Sequence, residues 1–240
     1  MIEQLFATAI GIDIPWYISN VDFNLKDRDL TINIDFQRGT RFAVPEFDGK
    51  HPVHDTVKKS YRYLNFFQYK CILEVRVPRV RLPDGGIRQV EPDFAGKLSG
   101  FSQLFEAFVL LMAREMTFSG VARTVDLSVH RVMSICEHYV DLAVAERDLS
   151  DVQDLAVDET SKQRGHEYVT LVADAKEHAV LFVTAGKDAK TIKNFVDDFK
   201  THGGDPENIK SISMDMSKAF IKERRSIYLM RKLRLINFTL

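Results

Sequence analysis

The sequence predicts a mixed α+β / α/β chain in three parts: a small N-terminal β module, a helical middle with a helix-turn-helix, and a βββαβ unit. Three observations predict it. The apolar pattern before residue 97 alternates as in half-buried strands. It turns helical from about residue 100 to 149. After residue 152 strand-sized apolar runs surround one amphipathic helix. The 240 residues suffice for one large domain or two small ones. With 45% hydrophobic and 28% charged residues, the composition is globular and excludes a disordered tail. No run of 18 apolar residues occurs, so no membrane span is expected. The N-terminus MIEQLFATAIGIDIP lacks a basic start and carries Glu3 and Asp13, unlike a signal peptide, so a cytoplasmic location is expected. Cys71 and Cys136 are too few for a disulfide scaffold or a four-cysteine metal site and read as buried apolar fillers. The net charge of −1 means that any nucleic-acid binding comes from local patches.

Within residues 1–97, Leu30 to Phe36 alternates apolar and polar residues as a strand does, and Asp48-Gly49 marks a turn. Cys71 to Val77 is a second strand. Asp84-Gly85-Gly86 is a strong turn signal, with Ile87 to Val90 as the return strand. These pieces predict short, antiparallel strands. From Thr56 to Arg81, seven cations (Lys58, Lys59, Arg62, Lys70, Arg76, Arg79, Arg81) stand against Glu74 alone, among Tyr61, Tyr63, Phe66, Phe67 and Tyr69. This mixture suits phosphate contact with stacking on bases, or a solvated face over a small aromatic core.

Residues 98–149 begin with Ser102 as the cap of a helix whose apolar positions, Leu104, Phe105, Phe108, Val109, Leu111 and Met112, suggest a broadly buried face. Thr117 to Met133 reads as a short helix, a tight turn at Asp126–Ser128 and a second helix with Val129, Val132, Ile135 and Cys136 inward. This is a helix-turn-helix, or else simple helical packing. His130, Arg131 and Ser134 then face outward, where a recognition helix presents its contacts, and His130 and Arg131 are the candidates for DNA contact. Residues 148–154 are polar and acidic and are expected to be the least ordered linker. His51 and His54 are expected to be surface or locally hydrogen-bonded residues.

Residues 150–222 give strands ending at Asp158, at Ala173 and at Thr184, the last two joined by the hairpin-sized Lys176-Glu177-His178. Asp188 is the expected cap of a helix with Ile192, Phe195, Val196 and Phe199 on one face, stopped by Gly203-Gly204. A last strand, with Ile209, Ile212 and Met214, ends at Asp215. A helical crossover sets the first and fourth strands side by side in parallel, which would bring the carboxylates of Asp158 and Asp215 together. Paired carboxylates suit Mg²⁺, a hard cation that keeps several waters. Two such ions about 4 Å apart activate a nucleophilic water or 3′-hydroxyl and stabilise the leaving oxygen of a phosphodiester. Alternatively, both are ordinary strand-end aspartates. Glu159 is a possible accessory ligand, but adjacent strand residues face opposite ways.

Several motifs stand in one order: Phe36-Gln-Arg-Gly39-Thr-Arg-Phe42, Pro52-Val-His54-Asp55, Arg62 to Tyr69, Val77-Pro-Arg-Val80, Leu104-Phe-Glu106, Asp154 to Thr170, Val172-Ala-Asp174 and Ser213 to Lys222. Together they resemble bacterial insertion-sequence transposases of the DDE class, specifically the ISL3 family. The resemblance implies an RNase H-like catalytic domain that cuts and rejoins DNA with a metal-bound Asp, Asp, Glu set, with Asp158 as the first and Asp215 as the second aspartate. It also implies a zinc-ribbon-like module and a helix-turn-helix that bind the terminal inverted repeats of the element. On this basis residues 1–97 are the degenerate zinc-ribbon-like module, 98–149 the DNA-binding region and 150–222 a partial catalytic domain. The expected DNA-contact residues are Lys58, Lys59, Arg62, Arg76, Arg79, Arg81, His130 and Arg131.

The sequence departs from the family pattern twice. Val44-Pro45-Glu46-Phe47 and Leu82-Pro83-Asp84-Gly85 replace the two cysteine knuckles, so zinc is not expected and Val44, Phe47 and Leu82 are expected to pack as a small core. The match ends after Lys222, and residues 223–240 are a divergent basic tail that suggests a frameshift. The catalytic glutamate is then missing, which leads to the expectation of a truncated transposase with weak or absent Mg²⁺ binding and little strand transfer. The alternatives are a non-catalytic DNA-binding module that represses a full-length transposase, with a homodimer or the full-length transposase as the expected protein partner, or a poorly folded product.

Overall fold

The computed structural model describes residues 2–45, 47–163, 167–186 and 189–214. The chain forms two compact units, Met1–Tyr139 and a second that starts at Val140.

The first unit opens with α1 (Ile2–Ile10) and six strands: β1 (Trp16–Asn24), β2 (Asp29–Phe36), β3 (Arg41–Val44), β4 (Phe47–Arg62), β5 (Lys70–Arg81) and β6 (Ile87–Gln89). Their order is β1-β2-β5-β4-β3, with β6 on β5. The pairs are antiparallel except β2 with β5, which is parallel and corrects the expectation of an antiparallel module. The strands are also longer than expected: β4 has 16 residues and β5 has 12. Strand alternation sends Leu30, Ile32, Ile34 and Phe36 of β2 inward with Cys71, Leu73, Val75 and Val77 of β5. Each such aliphatic or aromatic side chain contributes about 1.5–3 kcal/mol on burial. Trp16, Phe36 and Phe42 meet at ring separations of 5.2–5.8 Å.

Asp48-Gly49 makes no reversal, since both lie within β4. The chain reverses between β3 and β4, where Val44 pairs with Phe47. The turn after β5 is as expected: the Leu82 amide donates to the Gly86 carbonyl and β6 returns antiparallel. Val44 and Leu82 are buried in the core of this unit, and Phe47 packs against it. His51 is buried as well, against the ring of Phe47, and is not at the surface. His54 Nδ1 lies 2.9 Å from a guanidinium nitrogen of Arg81. The aromatics of the basic stretch divide: Tyr61 is buried and Tyr69 contacts Phe23, while Phe66, which also touches Phe23, and Phe67 are exposed.

Three helices complete this unit: α2 (Gln103–Ala113), α3 (Phe118–Val125) and α4 (Val129–Glu146), the last of which continues past Tyr139. Ser102 Oγ accepts from the Phe105 amide, and Thr117 Oγ1 accepts from the Gly120 amide, so both helix starts are capped by side chains. One face of α2 is buried through Phe105, Glu106 and Val109. Leu104, Phe108 and Leu111 are exposed, so the buried face is narrower than the apolar pattern suggested. Glu106 is fully buried. Its carboxylate accepts from the amides of Lys97 and Leu98 (2.9 and 2.8 Å) and from the Tyr139 hydroxyl (2.6 Å). Burial and the adjacent Glu106 push the Tyr139 phenol pKa well up from its usual value.

The second unit contains β7 (Asp154–Gln163), β8 (Glu167–Asp174), β9 (Ala179–Ala185), α5 (Ala189–Thr201) and β10 (Ser211–Met214), in sheet order β10-β7-β8-β9. The expected βββαβ order is present, and β10 runs parallel beside β7. Ile192, Phe195 and Phe199 of α5 are buried, with Leu155, Val157, Val172 and Leu181 buried in the sheet. The expected Asp188 cap lies outside the described residues. The segment taken for a loose linker is packed: Leu149 and Val152 are buried, and the Leu149 amide donates to the His202 carbonyl. Arg147 donates to the Leu181 carbonyl and pairs with Asp198 at 2.7 Å.

Two substitutions test this packing. Glu106→Ala leaves two amides and a hydroxyl without their acceptor and opens a void at a fully buried position, and is expected to cost about 3 kcal/mol in urea unfolding. A loss below about 0.5 kcal/mol would show that the carboxylate is dispensable. Gly204→Ala sets a Cβ 2.5 Å from the Phe199 ring. It is expected to lower stability by about 1–3 kcal/mol through overpacking, read from the same unfolding curves.

Candidate functional site

The helix-turn-helix is built by local chemistry. Its first helix, α3, ends at Asp126 in the left-handed conformation (φ 56°), and the Asp126 amide donates to the Ala122 carbonyl. This sharp reversal, which Asp tolerates better than most residues, allows α4 to start at Val129 after a short connection. Val121, Ala122 and Val125 of α3 and Val132, Ile135 and Cys136 of α4 share one core. Val129 was expected inward and is 39% exposed: it is the first residue of α4, and the helix reaches the core only at Val132. His130 is exposed, as expected. Arg131 is exposed as a residue, yet its guanidinium lies over the Phe101 ring, with Cζ 4.3 Å from the centroid, and donates to the Ser99 carbonyl at 2.9 Å.

The cations of β4 and β5 do not form one patch. Lys58 and Arg76 are directly paired across the strands, so they share a face. Lys58 is exposed there. Arg76 pairs with Asp35 at 2.6 Å and lies over the Phe36 ring. Lys59, one residue on, points to the other face, 3.7 Å from Glu91. Arg79 is paired with Asp55, which draws that carboxyl pKa down. Arg81 sits beside His54. Arg62 is 7% exposed and is not at a surface: its Nη1 donates to the carbonyls of Tyr63 and Cys71 (2.8 and 3.1 Å), its Nη2 donates to Asn65, and its Cζ is 5.2 Å from the Phe105 ring centroid. Burial lowers the pKa of this guanidinium from its usual value. The β4–β5 hairpin therefore spends Arg62 on its own interior and divides the remaining cations between faces and partners.

In the second unit, β7 alternates in burial: Leu155 and Val157 are buried and Asp158 is exposed. Asp158 thus stands on the opposite sheet face from the side chains that pack inward. It is opposite Leu171 on β8, which is opposite Val183 on β9. On its other side, β10 keeps an unbroken register with β7, from Ser211 opposite Asp154 to Met214 opposite Val157. Asp215, the next residue, lies outside the described residues. Among the described residues there is no cluster of three or more His, Cys, Asp or Glu side chains placed to hold a metal ion. Among the described residues, Asp158 presents an exposed carboxylate here, whose hard oxygens fit a divalent cation such as Mg²⁺.

The sequence reading missed Glu106, which lay inside a quoted motif but has the appearance of a solvent-facing helix residue. It also missed Phe101 as the seat of Arg131, and Lys70, which pairs with Asp126 at 3.1 Å. The aromatic stack of Phe101 on Phe105 has no local periodic signal, because Phe101 precedes the helix. Among the described residues no helix is long and apolar enough to cross a membrane.

Comparison with known proteins gives this geometry a family. A transposase model of the DDE class and ISL3 family matches residues 155–228, and a model described as the helix-turn-helix domain of transposase family ISL3 matches residues 90–140. The transposase for insertion sequence element IS1001 of Bordetella parapertussis is 28% identical over 171 residues, covering 70% of this chain and 41% of that protein. The transposase for insertion sequence element IS1557 of Mycobacterium tuberculosis is 25% identical over 207 residues, covering 81% of this chain and 45% of that protein. The chain thus spans less than half the length of these relatives. The mixed sheet-and-helix architecture is consistent with the RNase H-like domain of such enzymes. The two family models lie in chain order over the helix-turn-helix and the β7–β10 sheet, and the chain belongs to the ISL3 family of insertion-sequence transposases.

Proposed function

We propose that the chain binds the terminal inverted repeats of an insertion sequence through the helix-turn-helix. Asp158 and Asp215 then serve as divalent-metal ligands for cleavage and strand transfer of that DNA. The observation that carries the catalytic part is the parallel β7–β10 pair, whose partners Val157 and Met214 each directly precede one of these aspartates in sequence. Asp158 supplies hard oxygen from an exposed strand position, and Mg²⁺ is the ion such a donor set favours. A bound divalent ion supplies an activated nucleophile and charge neutralisation at the leaving oxygen.

The division of labour in this reading assigns DNA contact to residues 98–149 together with one face of the β4–β5 pair, and chemistry to residues 150–222. His130, at the exposed start of α4, and Lys58 with Arg76, on one face of the β4–β5 pair, are the proposed contacts to DNA. Arg62 drops out because its guanidinium is spent inside the protein. Packing of Val44, Phe47 and Leu82 stands in for zinc in the N-terminal module.

Three measurements test the proposal. Gel-shift affinity for inverted-repeat duplex is expected to fall steeply as salt rises, and Lys58→Ala to reduce the log–log salt slope by about 0.9. Binding that is absent at low salt, or insensitive to salt, sinks the DNA-binding reading. Asp158→Asn is expected to abolish any Mg²⁺-dependent nicking of that duplex and to leave its gel-shift affinity unchanged; nicking that survives removes Asp158 from the chemistry. Binding with no nicking by the parent chain would favour the alternative reading, a DNA-binding module that occupies element ends. Dialysis against a strong chelator is expected to leave the thermal midpoint unchanged, whereas a lower midpoint would reveal a structural metal.

A further inference from the structure

We propose that Arg131 is a positioning residue. In this role its guanidinium seats the first turn of α4 on the β module, and it is not spent on DNA. The inference rests on the DNA-binding reading above and changes the role expected for this residue.

Four flat groups stack in sequence. The Arg131 guanidinium lies over Phe101 at 4.3 Å from the centroid. Phe101 stacks on Phe105, with centroids 5.4 Å apart and planes 17° from parallel. Arg62 covers Phe105 at 5.2 Å. Both rings are only 2% exposed, so each cation meets a π-face shielded from water, where the attraction is strongest. The far end of the stack is fixed in the sheet, because Arg62 donates to the carbonyls of Tyr63 and Cys71. Its main chain is fixed too: the Arg62 amide donates to the Gly100 carbonyl, and the Arg62 carbonyl accepts from the Ser102 amide.

The near end is equally specific. Arg131 Nη2 donates to the Ser99 carbonyl at 2.9 Å. The adjoining Gly100 takes φ +87°, a conformation that L side chains rarely adopt, and it turns the chain between Ser99 and Phe101. Planarity and fixed N–H directions let one guanidinium satisfy the ring and the carbonyl together, which an ammonium does less well. Among the described residues the side chain of the neighbouring His130 makes no such tether, and it is left to face DNA. Lys70 and Asp126 form a second, exposed tie from β5 to the turn before α4, an interaction of the kind that contributes little alone. The competing role for Arg131 is a phosphate contact, because the residue as a whole remains exposed.

The two roles separate in a binding experiment. One probe is a duplex selected from a random-sequence pool by the parent protein, and the other is poly(dI-dC) as non-specific DNA. The variants are Arg131→Gln, Phe101→Leu, their combination, and Phe101→Tyr, which keeps the π-face. In the positioning role, Arg131→Gln and Phe101→Leu each weaken the selected duplex by roughly 2- to 30-fold. The combination is no weaker than the poorer single variant, Phe101→Tyr binds as the parent does, and poly(dI-dC) affinity and the salt slope stay unchanged. A contact role predicts that Arg131→Gln weakens both probes and lowers the salt slope by about 0.9, while Phe101→Leu has no effect; this result overturns the proposal. A lower thermal midpoint for Arg131→Gln with unchanged affinity well below that midpoint shows a merely structural role and overturns it as well. Phe101 is a core residue, so if Phe101→Leu fails to fold, the surface variant Arg131→Gln still decides through its salt slope. Absence of salt-sensitive binding by the parent protein defeats the DNA-binding reading itself and this inference with it.

Discussion

The first unit depends on one buried acidic side chain. The Glu106 carboxylate, sealed from water in α2, gathers two amides from residues 97 and 98 and the hydroxyl of Tyr139 on α4. A buried polar group is tolerated only when its hydrogen-bonding capacity is met, and the geometry here meets it from two separate directions. The approach is close enough that a Cβ on Gly96 would lie 2.4 Å from the carboxyl carbon. Glycine at 96 and glutamate at 106 are therefore one feature. Together they fix the segment that enters α2 and, through Tyr139, the body of α4, whose first turn carries His130 and Arg131. The placement of the helix-turn-helix on the β module follows from that anchoring and from the Arg62–Phe105–Phe101–Arg131 stack.

Local chemistry made much of this fold legible. The alternation of Leu30 to Phe36, the Asp84-Gly85-Gly86 turn, the caps at Ser102 and the reversal near Asp126 are all written in neighbouring residues, and they appear where expected. The parallel β7–β10 pair was also legible, because a helical crossover between strands constrains both handedness and direction. The parallel pairing of β2 with β5 was not, since it joins strands separated by the β3–β4 excursion and leaves no short-range mark. Asp48-Gly49 misled because a residue pair typical of turns also fits a strand distortion, and Gly49 has φ +85° inside β4.

The candidate site was legible unevenly for a related reason. A run of cations in sequence says nothing about faces. Once β4 and β5 form, alternation separates Lys58 from Lys59, and internal acceptors capture Arg62. Burial of an arginine or a glutamate is a tertiary property: it requires carbonyls, amides or rings brought from elsewhere in the chain, and no local window contains them. Asp158 was easier. Its place after two inward-facing strand residues, Leu155 and Val157, decides its sheet face by simple parity.

The parallel seam between β2 and β5 has a consequence for how this part of the chain tolerates change. Everything between Phe36 and Lys70 is an excursion whose two ends the seam fixes, one at each end of the paired segment. The entropy of closing such an excursion grows only with the logarithm of its length, so doubling it costs about 0.6 kcal/mol. Residues can thus be gained, lost or exchanged near the β3–β4 reversal at little thermodynamic penalty. What constrains that hairpin is the fit of Val44 and Phe47 into the underlying core, so its rim is open to remodelling while its inward face is not.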